Sequence, residues 1–178
     1  LVDSDDRRLR IGLAADARSG WDADDSTRTK GMHDRDFSVD IGPALRWQTD
    51  YGTLNAQWGF DAGSGSKGQS AQLQFVRALI RGPGLRLNGL VGITWNDRRM
   101  NNYYYGVAAS EAAPGRPAYT AGAGTQLQAG VNGAWPAGER GSVLFGLMVT
   151  RLGNAQADSP IVETRIQPLA YVGYGWTF

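Results

Sequence analysis

The chain of 178 residues has no cysteine. Disulfides, thiolate nucleophiles and Cys-based zinc sites are therefore excluded. An excess of one charge sign is also missing. Lys and Arg number 18 against 17 Asp and Glu, for a formal net charge of +1. These charges are interspersed, with no basic stripe that would neutralise phosphates, so nucleic acid is not a partner class for this chain. Long apolar runs are lacking as well. Mean hydropathy is −0.36, and no segment approaches the run of about twenty apolar residues that a membrane helix needs. Hydropathy alone would class the protein as soluble. Transmembrane barrels escape that test, because each strand sends apolar residues to lipid and polar ones to the lumen.

The abundant residues point to strands. Glycine occurs 25 times and aromatic residues make up 10% of the chain, which favours β-structure over helix. Period-two alternation runs through 37–48, where Phe37, Val39, Ile41, Leu45 and Trp47 oppose Ser38, Asp40, Arg46 and Gln48. It recurs in 54–61, 85–96, 126–135 and 164–178. In the last of these, Ile166, Val172, Tyr174, Trp176 and Phe178 oppose Arg165, Gln167 and small residues. Further strands are expected near 8–17, 69–81 and 141–152, with a phase slip around Phe75–Arg77 that suggests a bulge.

A soluble barrel with an apolar interior also alternates. Three features separate the cases. One face repeats Gln, Asn, Arg and Asp, which is too polar for a filler core. Connections alternate in length, short at 49–52, 82–84 and 136–140, long at about 18–35, 62–68, 97–120 and 153–162. Aromatic residues gather at both ends, with Trp47, Trp135 and Trp176 near the short turns and Trp95, Phe60 and Phe37 toward the long loops. The expectation is an all-β, antiparallel transmembrane β-barrel of about eight strands, forming a single outer-membrane domain over 1–178. No export leader opens the chain, so a removed signal peptide and a start partway into the native protein are expected.

Several residue groups invite a chemical reading. His33 stands with Asp34, Asp36 and nearby Ser26, but nothing in the spacing fixes a catalytic geometry. Asp22, Asp24 and Asp25 lack the glycine and closing glutamate of an EF-hand loop. The segment 63–68 lacks Walker spacing and reads as a flexible outer loop. Asp158-Ser-Pro160 reads as a turn. Tyr103, Tyr104 and Tyr105 form a candidate outer-loop interaction patch or an anchor for a loop folded over the mouth. Arg46, Arg86, Arg165 and Asp40, joined by Arg10, Asp16 and Asp61, form a candidate charge network in the lumen, either plugging it or lining a narrow conduit. No catalytic residue, metal or cofactor is assigned.

The run Trp95-Asn-Asp-Arg-Arg-Met-Asn-Asn-Tyr-Tyr-Tyr-Gly-Val107 with Pro117-Ala-Tyr119 resembles the signature of the MipA/OmpV family, as do Arg151-Leu-Gly153 with Ala157-Asp-Ser-Pro-Ile-Val162 and Lys30-Gly-Met-His-Asp-Arg-Asp36. The resemblance implies a Gram-negative outer-membrane protein without enzymatic chemistry. Family members carry additional sequence upstream, two more strands, which implies ten strands in the full-length protein. The implied role is a scaffold bringing a lytic transglycosylase together with a peptidoglycan synthase. A narrow porin-like channel and an outer-surface adhesin or receptor stay open as alternatives. Outer-membrane lipid and lipopolysaccharide are the implied surroundings. The terminal Phe178 resembles the signal read by the barrel-assembly machinery, which would point the short turns to the periplasm.

Overall fold

The computed structural model describes residues 2–3, 8–63 and 65–176. Phe178 and its assembly-signal reading lie outside them. The strands are β1 (Val2–Asp3), β2 (Leu9–Arg18), β3 (Ser38–Gln48), β4 (Thr53–Asp61), β5 (Gln69–Arg81), β6 (Arg86–Asn96), β7 (Gly124–Pro136), β8 (Gly141–Arg151) and β9 (Ile166–Trp176). They form one sheet in sequence order, each antiparallel to the next. Apart from the two-residue β1, these are the eight strands expected from alternation. Among the described residues no helix is long and apolar enough to cross a membrane.

Register carries each face intact around the sheet. Arg10, Arg46, Asn55, Gln74, Gly92, Gln128, Thr150 and Gln167 are successive partners from β2 to β9. One position along, Ile11, Leu45, Ala56, Leu73, Ile93 and Leu127 form an apolar row. That second face is the exposed one, with Leu13 79%, Leu147 60% and Val172 77% accessible. A contiguous apolar surface of this size is too large for water to be its neighbour and is the lipid face of a spanning sheet.

The sheet is strongly curved. Asp16 on β2 and Gln126 on β7 line one cavity of about 230 Å³. On a flat sheet the five strand spacings between them would set them roughly 24 Å apart. Among the described residues β9 has no partner beyond β8, and the sheet does not close.

The short connections are tight hairpins. Thr49 N–H donates to the Gly52 carbonyl at 2.8 Å, and Gly82 N–H to the Leu85 carbonyl at 3.0 Å. The irregularity expected around Phe75–Arg77 falls a little later, between Ala78 and Ile80. Alternation resumes with Leu79 turned toward Gly89 on the outer face. On β9 the inner face is less small than the sequence suggests. Register opposes Leu169 to Met148 and Tyr171 to Gly146, placing both inside.

Candidate functional site

Most of the buried apolar residues lie in the long loops, with Leu90 on β6 the exception among the described residues. Met100, Ala121 and Leu152 are at most 1% exposed, with Tyr104 and Val107 close behind. Burying Met100 and Leu152 contributes about 1.5–3 kcal/mol each. Residues 19–37, 97–123 and 152–165 thereby fold into a cap over the long-loop rim.

Its centre is helix α1 (Arg98–Tyr105). The side chain of Asp97 accepts from Met100 N–H at 2.8 Å, satisfying one of the first-turn donors. Gly106 then ends the helix in extended backbone. A second short helix, α2 (Asn154–Ala157), packs beside it, where Gln156 Nε2 donates to Asn101 Oδ1 at 3.1 Å. Helix geometry changes the reading of the three tyrosines. Successive helical residues are turned by about 100°, so Tyr103, Tyr104 and Tyr105 point three ways. The Tyr104 ring is 6% exposed and packs edge-on against Tyr103 at 4.9 Å. Burial pushes its hydroxyl up to about 12. Tyr103 Oη accepts from Asp36 N–H at 3.0 Å, and the Tyr105 carbonyl accepts from Ser159 Oγ at 2.6 Å. Their contacts make them anchors of the cap.

A buried carboxylate that sequence reasoning missed ties the loops together. Glu111 is 4% exposed. It accepts from His33 N–H at 3.0 Å, His33 Nδ1 at 3.1 Å, Ala108 N–H at 3.0 Å and Arg35 Nη2 at 3.1 and 3.2 Å. Burial alone would raise its pKa, yet these donors hold it down at about 2. Arg116, 8% exposed, donates to the carbonyls of Arg28, Lys30 and Glu111. The signal was faint: Glu111 and Arg116 sit in a Gly/Ala/Pro-rich stretch with no periodicity to mark them. His33 is thus a cap residue beside a carboxylate, its ring still mostly exposed.

The described residues of 63–68, which the sequence reads as a flexible outer loop, carry hydrogen bonds to one carboxylate. Asp61 accepts from Gly63 N–H at 2.8 Å, Ser66 N–H at 2.8 Å, Ser66 Oγ at 2.6 Å and Lys67 N–H at 3.0 Å, and from Ser38 Oγ. Asp158-Ser-Pro160 is a turn, with Asp158 capping α2.

The candidate lumen charges are not gathered into one network: Asp16, Asp40 and Asp61 are register partners at the cap end, while Arg10 and Arg46 are partners toward the short turns. Arg46 stands opposite Arg10 and Asn55 on the inner face, toward the short turns. Arg86 lies at the start of β6 at that same rim, opposite Arg81. Arg165 precedes β9 at the other rim and donates to Asn154 Oδ1 at 2.6 Å and Asp158 Oδ1 at 3.3 Å. Asp40 lies under the cap, 3% exposed, accepting from Arg18 Nη2 at 2.7 Å and Ser70 Oγ at 3.2 Å. The sequence pattern placed Arg46, Arg86 and Asp40 on the right face but gave no height along the strands.

An apolar exterior, a polar interior, short turns at one rim and a folded cap at the other define an outer-membrane β-barrel protein. The chain belongs to the MipA family: the model described as MltA-interacting protein MipA matches residues 1–178. It is 30% identical over 147 residues to Outer membrane protein Omp26La of Vibrio anguillarum and likewise to Outer membrane protein OmpV of Vibrio cholerae, covering 83% of this chain and 57% of each relative. It is 28% identical over 154 residues to MltA-interacting protein of Escherichia coli, covering 83% of this chain and 59% of the relative. The chain therefore spans less than two thirds of the length of these relatives. No solved structure matches it.

Proposed function

We propose that the protein is a non-catalytic outer-membrane scaffold that holds peptidoglycan-remodelling enzymes, a lytic transglycosylase and a synthase, at its short-turn rim. The observation carrying this reading is the family: a relative named for its interaction with MltA aligns over 83% of this chain. Two structural features support it. Bacterial barrels turn their short connections to the periplasm, and here that rim presents an exposed aromatic residue in its first turn, Tyr51 at 76%. Aromatic residues are favoured anchors in protein interfaces. The opposite rim is committed to its own cap. The one histidine pairs with Glu111, whose oxygens are already engaged by Arg35 and backbone amides, an arrangement suited to holding loops and not to moving protons.

In-cell crosslinking of the full-length protein, followed by mass spectrometry of captured partners, tests the reading. A murein hydrolase or synthase should be recovered and then lost when Tyr51 is replaced by Ser. Recovery of assembly factors and lipopolysaccharide alone would overturn it.

A further inference from the structure

We propose that the lumen beneath the cap holds a binding site for one neutral polyhydroxyl solute of about the size of a single sugar ring. The cavity of about 230 Å³ is walled by the inner faces of β2 to β7, space for roughly seven or eight waters at liquid density. Its roof is the cap. Arg18 is shared with a second cavity of about 270 Å³ lined by Tyr104 and Met100.

Two observations point to a ligand. First, Asp40 lines the cavity with its side chain 4% exposed and only one oxygen engaged. Oδ2 accepts from Arg18 and Ser70, while the buried Oδ1 has no hydrogen-bond partner among the described residues. A buried carboxylate oxygen left without a donor is costly, and it marks Asp40 as a group short of one donor beside this cavity. Second, apart from Asp16, Ala17 and Arg18 the remaining wall consists of groups that both donate and accept. Gln57, Gln72 and Gln126 face the same space as Ser70. Hydroxyl groups of a polyol have this dual character, and amides can meet them in either sense.

Charge selects among polar solutes. The two acids Asp16 and Asp40 outnumber Arg18 in the wall, so an anion is disfavoured. The Arg18 guanidinium at 2.7 Å already pairs with the buried Asp40, so a cation beside it would meet repulsion, and Asp16, the acid of the wall not paired with Arg18, offers acceptor oxygens to a hydroxyl as well. A neutral molecule rich in hydroxyls meets neither penalty.

The test is saturation-transfer difference NMR on the full chain folded in detergent, with D-glucose, ethanolamine and succinate as probes and a heat-modifiable gel shift as the folding control. Glucose should receive saturation and the other two should not. The effect should weaken by about fivefold or more in Gln72→Leu and Asp40→Asn, the loss expected when one hydrogen bond goes. If Asp40→Asn does not fold, Gln72→Leu decides, since among the described residues no hydrogen bond depends on the Gln72 side chain. Absence of transfer to glucose from folded protein, transfer that is equal in the variants, or preference for ethanolamine or succinate would overturn the proposal.

Discussion

Arg35 Nη2 lies 3.2 and 3.1 Å from the two carboxylate oxygens of Glu111, 76 positions away in the chain, and so joins two outer loops through one buried pair. Removing one partner of such a pair leaves an uncompensated buried charge and costs about 3–5 kcal/mol. In a Glu111→Ala variant the cap should open locally while the sheet stays folded. The amides of Val107 and Tyr119, which bond to each other's carbonyls at 2.8 and 2.9 Å, should exchange with deuterium roughly a hundredfold faster or more. Amides of β6 and β7 should keep their protection.

The same carboxylate sets an acid limit for the cap. Its folded pKa is about 2 against an ordinary 4.5, because burial is outweighed by hydrogen bonds from His33, Ala108 and Arg35. A depressed acid binds its proton more weakly in the folded state, so its contribution is complete above the ordinary value and is lost as pH falls toward about 2. Limited proteolysis of the outer loops should therefore be insensitive to Glu111→Gln relative to wild type only at the acid end. At pH 7 the variant should be cleaved faster, and the two rates should converge as pH falls from about 4.5 to 2.

The lipid face predicts depth-dependent penalties. Leu147 lies mid-strand on β8, 60% exposed. Leu147→Arg should cost about 2–4 kcal/mol in urea unfolding from lipid vesicles, the range for a cation near the bilayer midplane. An arginine at Thr125, on the same face near the long-loop rim, should cost about 0–1 kcal/mol. Equal costs would contradict the assigned span.

Gly146 makes room for an aromatic ring on the inner face. A Cβ built there would meet the Tyr171 ring at 2.4 Å, and Tyr171 is its direct cross-strand partner. Gly146→Val should force that ring away and destabilise the β8–β9 pairing by about 1–3 kcal/mol, as overpacking does. A compensating Tyr171→Ala change in the same chain should recover part of the loss, read in a double-mutant cycle of unfolding free energies.

Strands were readable in the sequence because lipid and lumen impose opposite chemistry on alternate residues, as Leu45 and Arg46 show. The cap was not. Its core uses Met100 and Leu152 as single apolar residues among polar ones, and its ties are Glu111, Arg35 and Arg116, whose partners in other loops lie 68 to 88 positions away. Only Asp97 before α1 and Gly106 after it offered a local signal, as cap residues flanking a run without β-branched side chains. Arg165 shows the other limit. It fell in phase with a lumen face yet stands just outside β9, because period two fixes a face but not the end of a strand.

The most direct measurement uses the absence of native cysteine. Single cysteines placed in turn at positions 126 to 132 of β7 would be labelled in vesicles with a lipid-quenchable fluorophore. The account predicts strong quenching by brominated lipid at Leu127, Ala129 and Val131 and weak quenching at Gln126, Gln128 and Asn132. Uniform quenching, or the inverse alternation with the apolar positions shielded, would contradict a membrane-spanning wall with a polar lumen.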